Sequence, residues 1–216
     1  MKNEVRKPSR EELEEAMDKR FSTEIYKKLK EAKVAVAGLG GIGSNTAVCL
    51  ARSGIGHIHL VDFDTVDLTN LNRQAYTIEH LGRLKTEALK ELLLNINPYL
   101  NITTETVKVT EENAFRIFKD YPIVCEAFDN PDNKAILVNT LLEKCPDMKI
   151  VSSSGMAGYG SSNEIETKRI MKNLYLCGDR KTDAYSGIGL MAGRVSICAG
   201  HEANMVIRLI LGIEEI

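Results

Sequence analysis

The chain has 216 residues, with 28 Lys+Arg against 30 Asp+Glu, 4 His and a formal net charge of -2. That balance gives no whole-molecule attraction for nucleic acid or an anionic membrane, and a chain 44% hydrophobic and 27% charged has the makings of a globular core. No apolar stretch approaches the roughly 20 residues of a membrane span, and residues 1–10 lack the apolar centre of a signal peptide. A cytoplasmic α/β protein is expected, with no membrane partner and nucleic acid disfavoured.

In chain order, Ser9 and Glu12 match a capping box that opens a charged helix, and a second short helix runs through Tyr26, Leu29 and Ala32. Residues 1–32 are therefore expected to form an N-terminal helical arm, and 33–216 the main domain. Within it, 34–37 reads as a buried strand, 38–43 as a glycine-rich turn, and the following residues through Arg52 as a helix. Strand two covers 57–61 and ends at Asp62. A helix follows over about 81–95, stopped by Pro98. The alternation over 102–109 predicts an edge strand; then come a short helix at 114–118, a strand at 123–127, a helix at 132–144 and a strand from 149. This βαβα rhythm predicts a doubly wound, mostly parallel sheet, Rossmann-like, with a C-terminal antiparallel extension. In the tail, 152–160 reads as a loop, about 163–168 as strand, 174–189 as a flexible or crossover segment, and 190–211 as an apolar helix.

The five cysteines, at 49, 125, 145, 177 and 198, form no CxxC pair, and the four histidines show no HExxH. Zinc is not expected. His57 and His59 are read as packing on the sheet, and Cys49, Cys125 and Cys198 as buried.

Gly38-Leu39-Gly40-Gly41-Ile42-Gly43 fits GxGxxG between a strand and a helix: glycine permits the turn, lets phosphates reach the backbone, and brings helix against strand. The helix start then offers free N–H groups to an anion, and Asp62 stands where a carboxylate binds ribose hydroxyls. The pattern says nucleotide, most commonly NAD. Downstream, Arg73 and Lys85 could neutralise phosphate charge and Asp129 could hold Mg2+, as a nucleoside triphosphate requires. Read alone, these charges fit solvated surface equally well.

The strand–GxGGxG–helix, the stretch DxDxVxxxNLxRQ over 62–74, the Gly-x-x-Lys at 82–85 and the later Asp129-Asn130 together resemble the ThiF/MoeB/HesA family of adenylating enzymes, over roughly residues 20 to 211. Leu176-Cys177-Gly178-Asp179 and the segment 189–195 are similar to the short ThiF-type branch linked to thiamine biosynthesis. The resemblance implies ATP-dependent adenylation of the C-terminal glycine of a ubiquitin-like sulfur carrier, of ThiS type, ending in Gly-Gly, with ATP and Mg2+ as cofactors and a homodimer as the assembly. It implies a nucleotide site of Gly38, Gly40, Gly41 and Gly43, Asp62 on the ribose, Asn70, Arg73 and Lys85 near the phosphates, and Asp129 on Mg2+ with Asn130 beside it. Arg20 matches an arm arginine that meets the γ-phosphate, in its own or the partner subunit, and Cys177 a sulfur-relay cysteine. Tyr159 and Tyr185 are placed along a groove for the carrier's tail, and Arg194 is offered to an acidic carrier surface. The alternatives are activation of a carboxylate on tRNA, a non-catalytic carrier-binding subunit, and an NAD-dependent dehydrogenase; the last lacks an identifiable catalytic His or Tyr–Lys pair.

Overall fold

Alternate residues of the first strand face opposite ways, and both ways are buried: Val34 and Val36 enter one apolar cluster, Ala35 and Ala37 another. A strand covered on both faces is the hallmark of a parallel sheet sandwiched by helices. A computed structural model, describing residues 6–183 and 187–216, has this architecture. Tyr185 lies outside the described residues. The sheet has seven strands in the order β3-β2-β1-β4-β5-β7-β6. They are β1 (Lys33–Ala37), β2 (His57–Asp62), β3 (Asn101–Thr106), β4 (Ile123–Glu126), β5 (Lys149–Ser153), β6 (Glu166–Met171) and β7 (Leu174–Gly178). All neighbours are parallel except β6 and β7, so the sheet is doubly wound and mostly parallel with an antiparallel end.

Four helices cover one face: α2 (Thr23–Glu31), α3 (Gly41–Arg52), α4 (Lys85–Ile96) and the long α7 (Ala192–Ile210). They bring Leu29, Leu50, Leu89 and Val206 into a single cluster with Val34 and Val36. The other face is covered by α5 (Glu111–Phe118) and α6 (Pro131–Lys144), through Phe118, Leu137 and Leu141. β3 is an edge strand, as its alternation indicates. His59 stacks on Tyr121 at 4.8 Å, and Thr103 Oγ1 meets both His57 and His59. Burial lowers both imidazole pKa values.

Within the 1–32 segment, α1 (Arg10–Asp18) starts on the Ser9–Glu12 capping box and is tied to α2 by Lys30–Glu14 at 2.6 Å. α2 is fastened further in. Leu29 is 2% exposed, and its carbonyl accepts from the Gly56 N–H at 3.0 Å. Truncating a leucine so buried costs about 2–5 kcal/mol.

The tail differs from the sequence reading. Residues 174–178 are not a crossover segment but β7, inserted parallel beside β5 with Ser153 opposite Cys177. Tyr175 and Cys177 are wholly buried. Burial pushes the Cys177 thiol up to about 12, with the Glu202 carboxylate acting in the same direction.

Candidate functional site

The strand order reverses between β1 and β4, and at that point the connections after β1 and β4 turn to opposite faces and leave a crevice at the carboxyl ends of the strands. A cleft of about 950 Å³ occupies it.

Its floor is the turn after β1. Gly38 has φ +87, and a Cβ there would lie 2.8 Å from the Ala127 carbonyl oxygen. A Cβ on Gly43 would fall 1.8 Å from the Gly38 carbonyl oxygen, so these two glycines are what let α3 start directly beneath the strand. No side chain caps α3, and Gly40, Gly41 and Ile42 line the cleft. Unpaired amides at the positive end of a helix favour an anion there. Gly43 lies beneath and serves the packing.

Asp62, at the end of β2, is 7% exposed. Its Oδ2 accepts from the Leu39 N–H at 2.6 Å and its Oδ1 from the Asp64 N–H at 2.8 Å. It thus clamps the glycine turn to β2, and each oxygen keeps a lone pair for a ligand hydroxyl. A single 3-10 turn, Leu68–Asn70, carries the next group. Asn70 Oδ1 accepts from the Asp67 N–H at 3.1 Å and helps hold that turn. Arg73, one turn on, donates to Thr69 O at 3.2 Å and Asn72 Oδ1 at 2.8 Å, and its aliphatic stem lies beside Gly41. Lys85 opens α4, 6% exposed, with Nζ on Asp64 Oδ2 at 3.0 Å. A cation in a first helical turn opposes the macrodipole, and Asp64 offsets it.

Asp129 lies exposed on the cleft wall after β4. Among the described residues no hydrogen bond or ion pair occupies its carboxylate. Such an uncommitted oxygen donor suits Mg2+, which takes one or two carboxylates and completes its shell with phosphate and water. No group of three or more His, Cys, Asp or Glu suited to a metal occurs among the described residues.

Five sequence-derived candidates stand apart. Asn130 is spent as the N-cap of α6, its Oδ1 accepting from Asp132 and Asn133 N–H at 2.9 and 3.0 Å. Arg20 is exposed after α1 and does not line the cleft. Cys177 sits inside the sheet, not in a segment open to a carrier. Arg194 is 4% exposed rather than a surface contact: it pairs with buried Asp179 and donates to Ser161 O at 2.6 Å. Asp179 in turn accepts from the Lys181 and Thr182 N–H groups, shaping the wall over 180–183. Burial raises the Asp179 pKa, but these hydrogen bonds and Arg194 outweigh it and hold the carboxyl low. Tyr159 is 81% exposed beyond the cleft.

Sequence reasoning missed Lys134 and the 180–183 wall and gave no role to Asp64 or Gln74 within the 62–74 motif, and all of these line the cleft. For Lys134 a signal existed: Glu126 places a charge in an otherwise apolar strand, which demands a partner, and Lys134 supplies it at 2.5 Å.

The model of the ThiF family matches residues 13–216. "Adenylyltransferase and sulfurtransferase UBA4" of Candida glabrata is 40% identical over 134 residues, 62% of this chain and 30% of that protein. Its Kluyveromyces lactis namesake is 46% identical over 106 residues, 48% of this chain and 24% of that protein. The chain therefore matches under a third of the length of these relatives. Among solved structures, E. coli tRNA N6-threonylcarbamoyladenosine dehydratase, TcdA, in complex with ATP, superposes with a TM-score of 0.83 at 22% identity, covering 92% of this chain and 93% of that one. E. coli MccB with ATP gives 0.69 at 25% identity, covering 88% and 59%.

Proposed function

Because the chain belongs to the ThiF family, we propose that it is an adenylyltransferase that activates a carboxylate with ATP. The observation that carries this reading is the convergence on one cleft of an uncapped glycine turn, a clamped Asp62, two cations and an uncommitted Asp129. The ribose hydroxyls would sit on Asp62, the phosphates over Gly40 and Gly41, and Arg73 and Lys85 against the phosphate oxygens, with Asn70 holding the Arg73 turn in place. Lys85 would trade Asp64 for phosphate. Asp129 would hold Mg2+, which when bound would supply charge neutralisation.

An oxygen of the acceptor carboxylate attacks the α-phosphorus, the bond to the bridging oxygen of the β-phosphate breaks, and pyrophosphate leaves with the electron pair. No proton moves, so the site's task is alignment of two anions and stabilisation of charge on the leaving phosphates.

The acceptor proposed is the C-terminal glycine of a ubiquitin-like sulfur carrier ending in Gly-Gly, of ThiS type and serving thiamine biosynthesis. Support for a sulfur carrier comes from the relatives named adenylyltransferase and sulfurtransferase, and for a protein one from exposed Ile188 and Met191, which flank cleft-lining Leu190. A second reading, a carboxylate on tRNA, draws on Lys108, Arg180 and Lys181 along the cleft. A homodimer belongs to the proposal; exposed Leu68 and Ile78 offer it an apolar surface, and Arg20 would act from the arm of either copy. No described helix is long and apolar enough to cross a membrane, and a cytoplasmic location is proposed.

The test is ATP–pyrophosphate exchange with Mg2+ and, in turn, the carrier, the carrier lacking its last glycine, and tRNA. Exchange with the intact carrier alone supports the first reading and exchange with tRNA alone the second. No exchange with either, at ATP concentrations that saturate the protein, overturns adenylation.

A further inference from the structure

Glu126 is a fully buried carboxylate at the end of β4, beside the switch point. Its Oε1 accepts from the Phe128 N–H at 2.8 Å, and its Oε2 from Ser152 Oγ at 2.6 Å and Lys134 Nζ at 2.5 Å. Three donors on two oxygens compensate a charge removed from water. The partner cation is not buried with it: the Lys134 side chain is 23% exposed and lines the cleft. An ammonium has three donors, and Glu126 takes one of them.

The position is a poor one for a lysine on structural grounds alone. Lys134 is the fourth residue of α6, whose N-terminus already has its cap in Asn130, and the positive end of the helix repels a cation there. A buried pair is also commonly matched in stability by apolar residues of the same volume. What the pair does achieve is to fix an ammonium on the β4–β5 side of the cleft, across the glycine turn from Arg73 and Lys85, which come from the β2–α4 connection.

Adenylation brings two anions together, the triphosphate and the acceptor carboxylate; Arg73 and Lys85 answer the first, and on the other side, where Arg180 is paired with Glu166 and Lys181 is exposed, Lys134 is a cation fixed by a buried carboxylate. We propose that Lys134 binds the acceptor's carboxylate, with Glu126 and Ser152 as its positioning residues. This rests on the adenylation reading and adds the residue that recognises the second substrate. The carboxylate pairs with Nζ by one oxygen and attacks the α-phosphorus with the other; the α-phosphorus to bridging-oxygen bond breaks, and the electron pair leaves on pyrophosphate. Lys134 gives up no proton.

The experiment measures ATP–pyrophosphate exchange, with a ubiquitin-like carrier ending in Gly-Gly as probe, beside ATP titration in the absence of carrier. Lys134→Ala is expected to raise the carrier KM at least tenfold and leave the ATP Kd within twofold. Lys134→Arg should recover to within threefold of wild type. Lys134→Gln, which keeps a hydrogen bond to Glu126 and so guards against misfolding, should behave like alanine, and Glu126→Gln should raise the carrier KM with unchanged ATP Kd. If tRNA is the acceptor that supports exchange, its KM is read in the same way. An unchanged acceptor KM, or an ATP Kd that rises in step with it, overturns the assignment while adenylation stands. A wild-type chain that exchanges with neither acceptor overturns adenylation and this assignment together.

Discussion

Lys85 is joined to Asp64 twice: its backbone N–H donates to the Asp64 carbonyl at 2.9 Å, and its Nζ lies 3.0 Å from Asp64 Oδ2. The first contact fixes where the side chain starts and the second where it ends, so the ammonium is aimed before any ligand arrives. Removing a donor aimed at charge in a transition state costs about 10²–10³ in rate, and that is the role proposed for Lys85. Lys85→Ala is expected to lower exchange by that factor, whereas Asp64→Ala, which removes only the resting partner, should cost less than tenfold. Steady-state exchange rates for the two variants check this.

Asp129 and Asn130 are neighbours with separate tasks. Asp129→Ala is expected to abolish most exchange and raise the Mg2+ concentration needed for the remainder. Asn130→Ala removes the α6 cap and is expected to cost about 1 kcal/mol of stability, with exchange within threefold of wild type. Mg2+ titrations and urea unfolding separate the two.

How much of this was legible follows from range of interaction. The turn Gly38–Gly43 was legible because part of its demand is local, a positive φ at Gly38 and the close approach of Gly43 to the Gly38 carbonyl oxygen, although Gly38 also answers to Ala127, which no spacing announces. β7 was missed although its hairpin with β6 is local, because the turn Lys172-Asn173 carries no glycine to mark it and the strand is buried by pairing with β5, some twenty residues earlier in the chain. The same misreading put Cys177 in a segment open to a carrier. Arg194 looked like a surface charge because Asp179, which buries it, reaches it only through the fold. Glu126 was a long-range pairing with a visible mark, a charge inside an apolar strand, and the mark went unused.

Cys177 has a thiol held protonated by burial, its pKa at about 12. Cys177→Ala is expected to keep carrier-dependent exchange within twofold of wild type and to lose about 1 kcal/mol of stability from a small buried gap. Loss of exchange at unchanged stability would contradict this placement.

Glu202 on α7 is completely buried, with Thr46 Oγ1 donating to its Oε2 at 2.7 Å and Oε1 without a partner among the described residues. Burial raises its pKa to about 8, against the lowering effect of Thr46; Glu126 adds to the rise and Lys134 opposes it. The folded pKa lies above the unfolded value of about 4.3. The folded state therefore keeps a proton that the unfolded chain has released, and the stabilisation is full below pH about 4, declining as pH rises to about 8, on the order of 1 kcal/mol per unit. Glu202→Gln, neutral throughout, should gain on wild type as pH rises from 5 to 8 in urea unfolding. Parallel profiles would contradict it.

The most direct test of adenylation follows the two ends of the triphosphate. The chain is incubated with Mg2+, the Gly-Gly carrier, and ATP labelled at either the α- or the γ-phosphorus. Label from the α-position is expected on the carrier as an acid-stable, base-labile adenylate, and label from the γ-position in pyrophosphate. Transfer of the γ-label to the carrier, or its release as orthophosphate with no α-label on the carrier, would mean that a different bond is broken and would contradict adenylation.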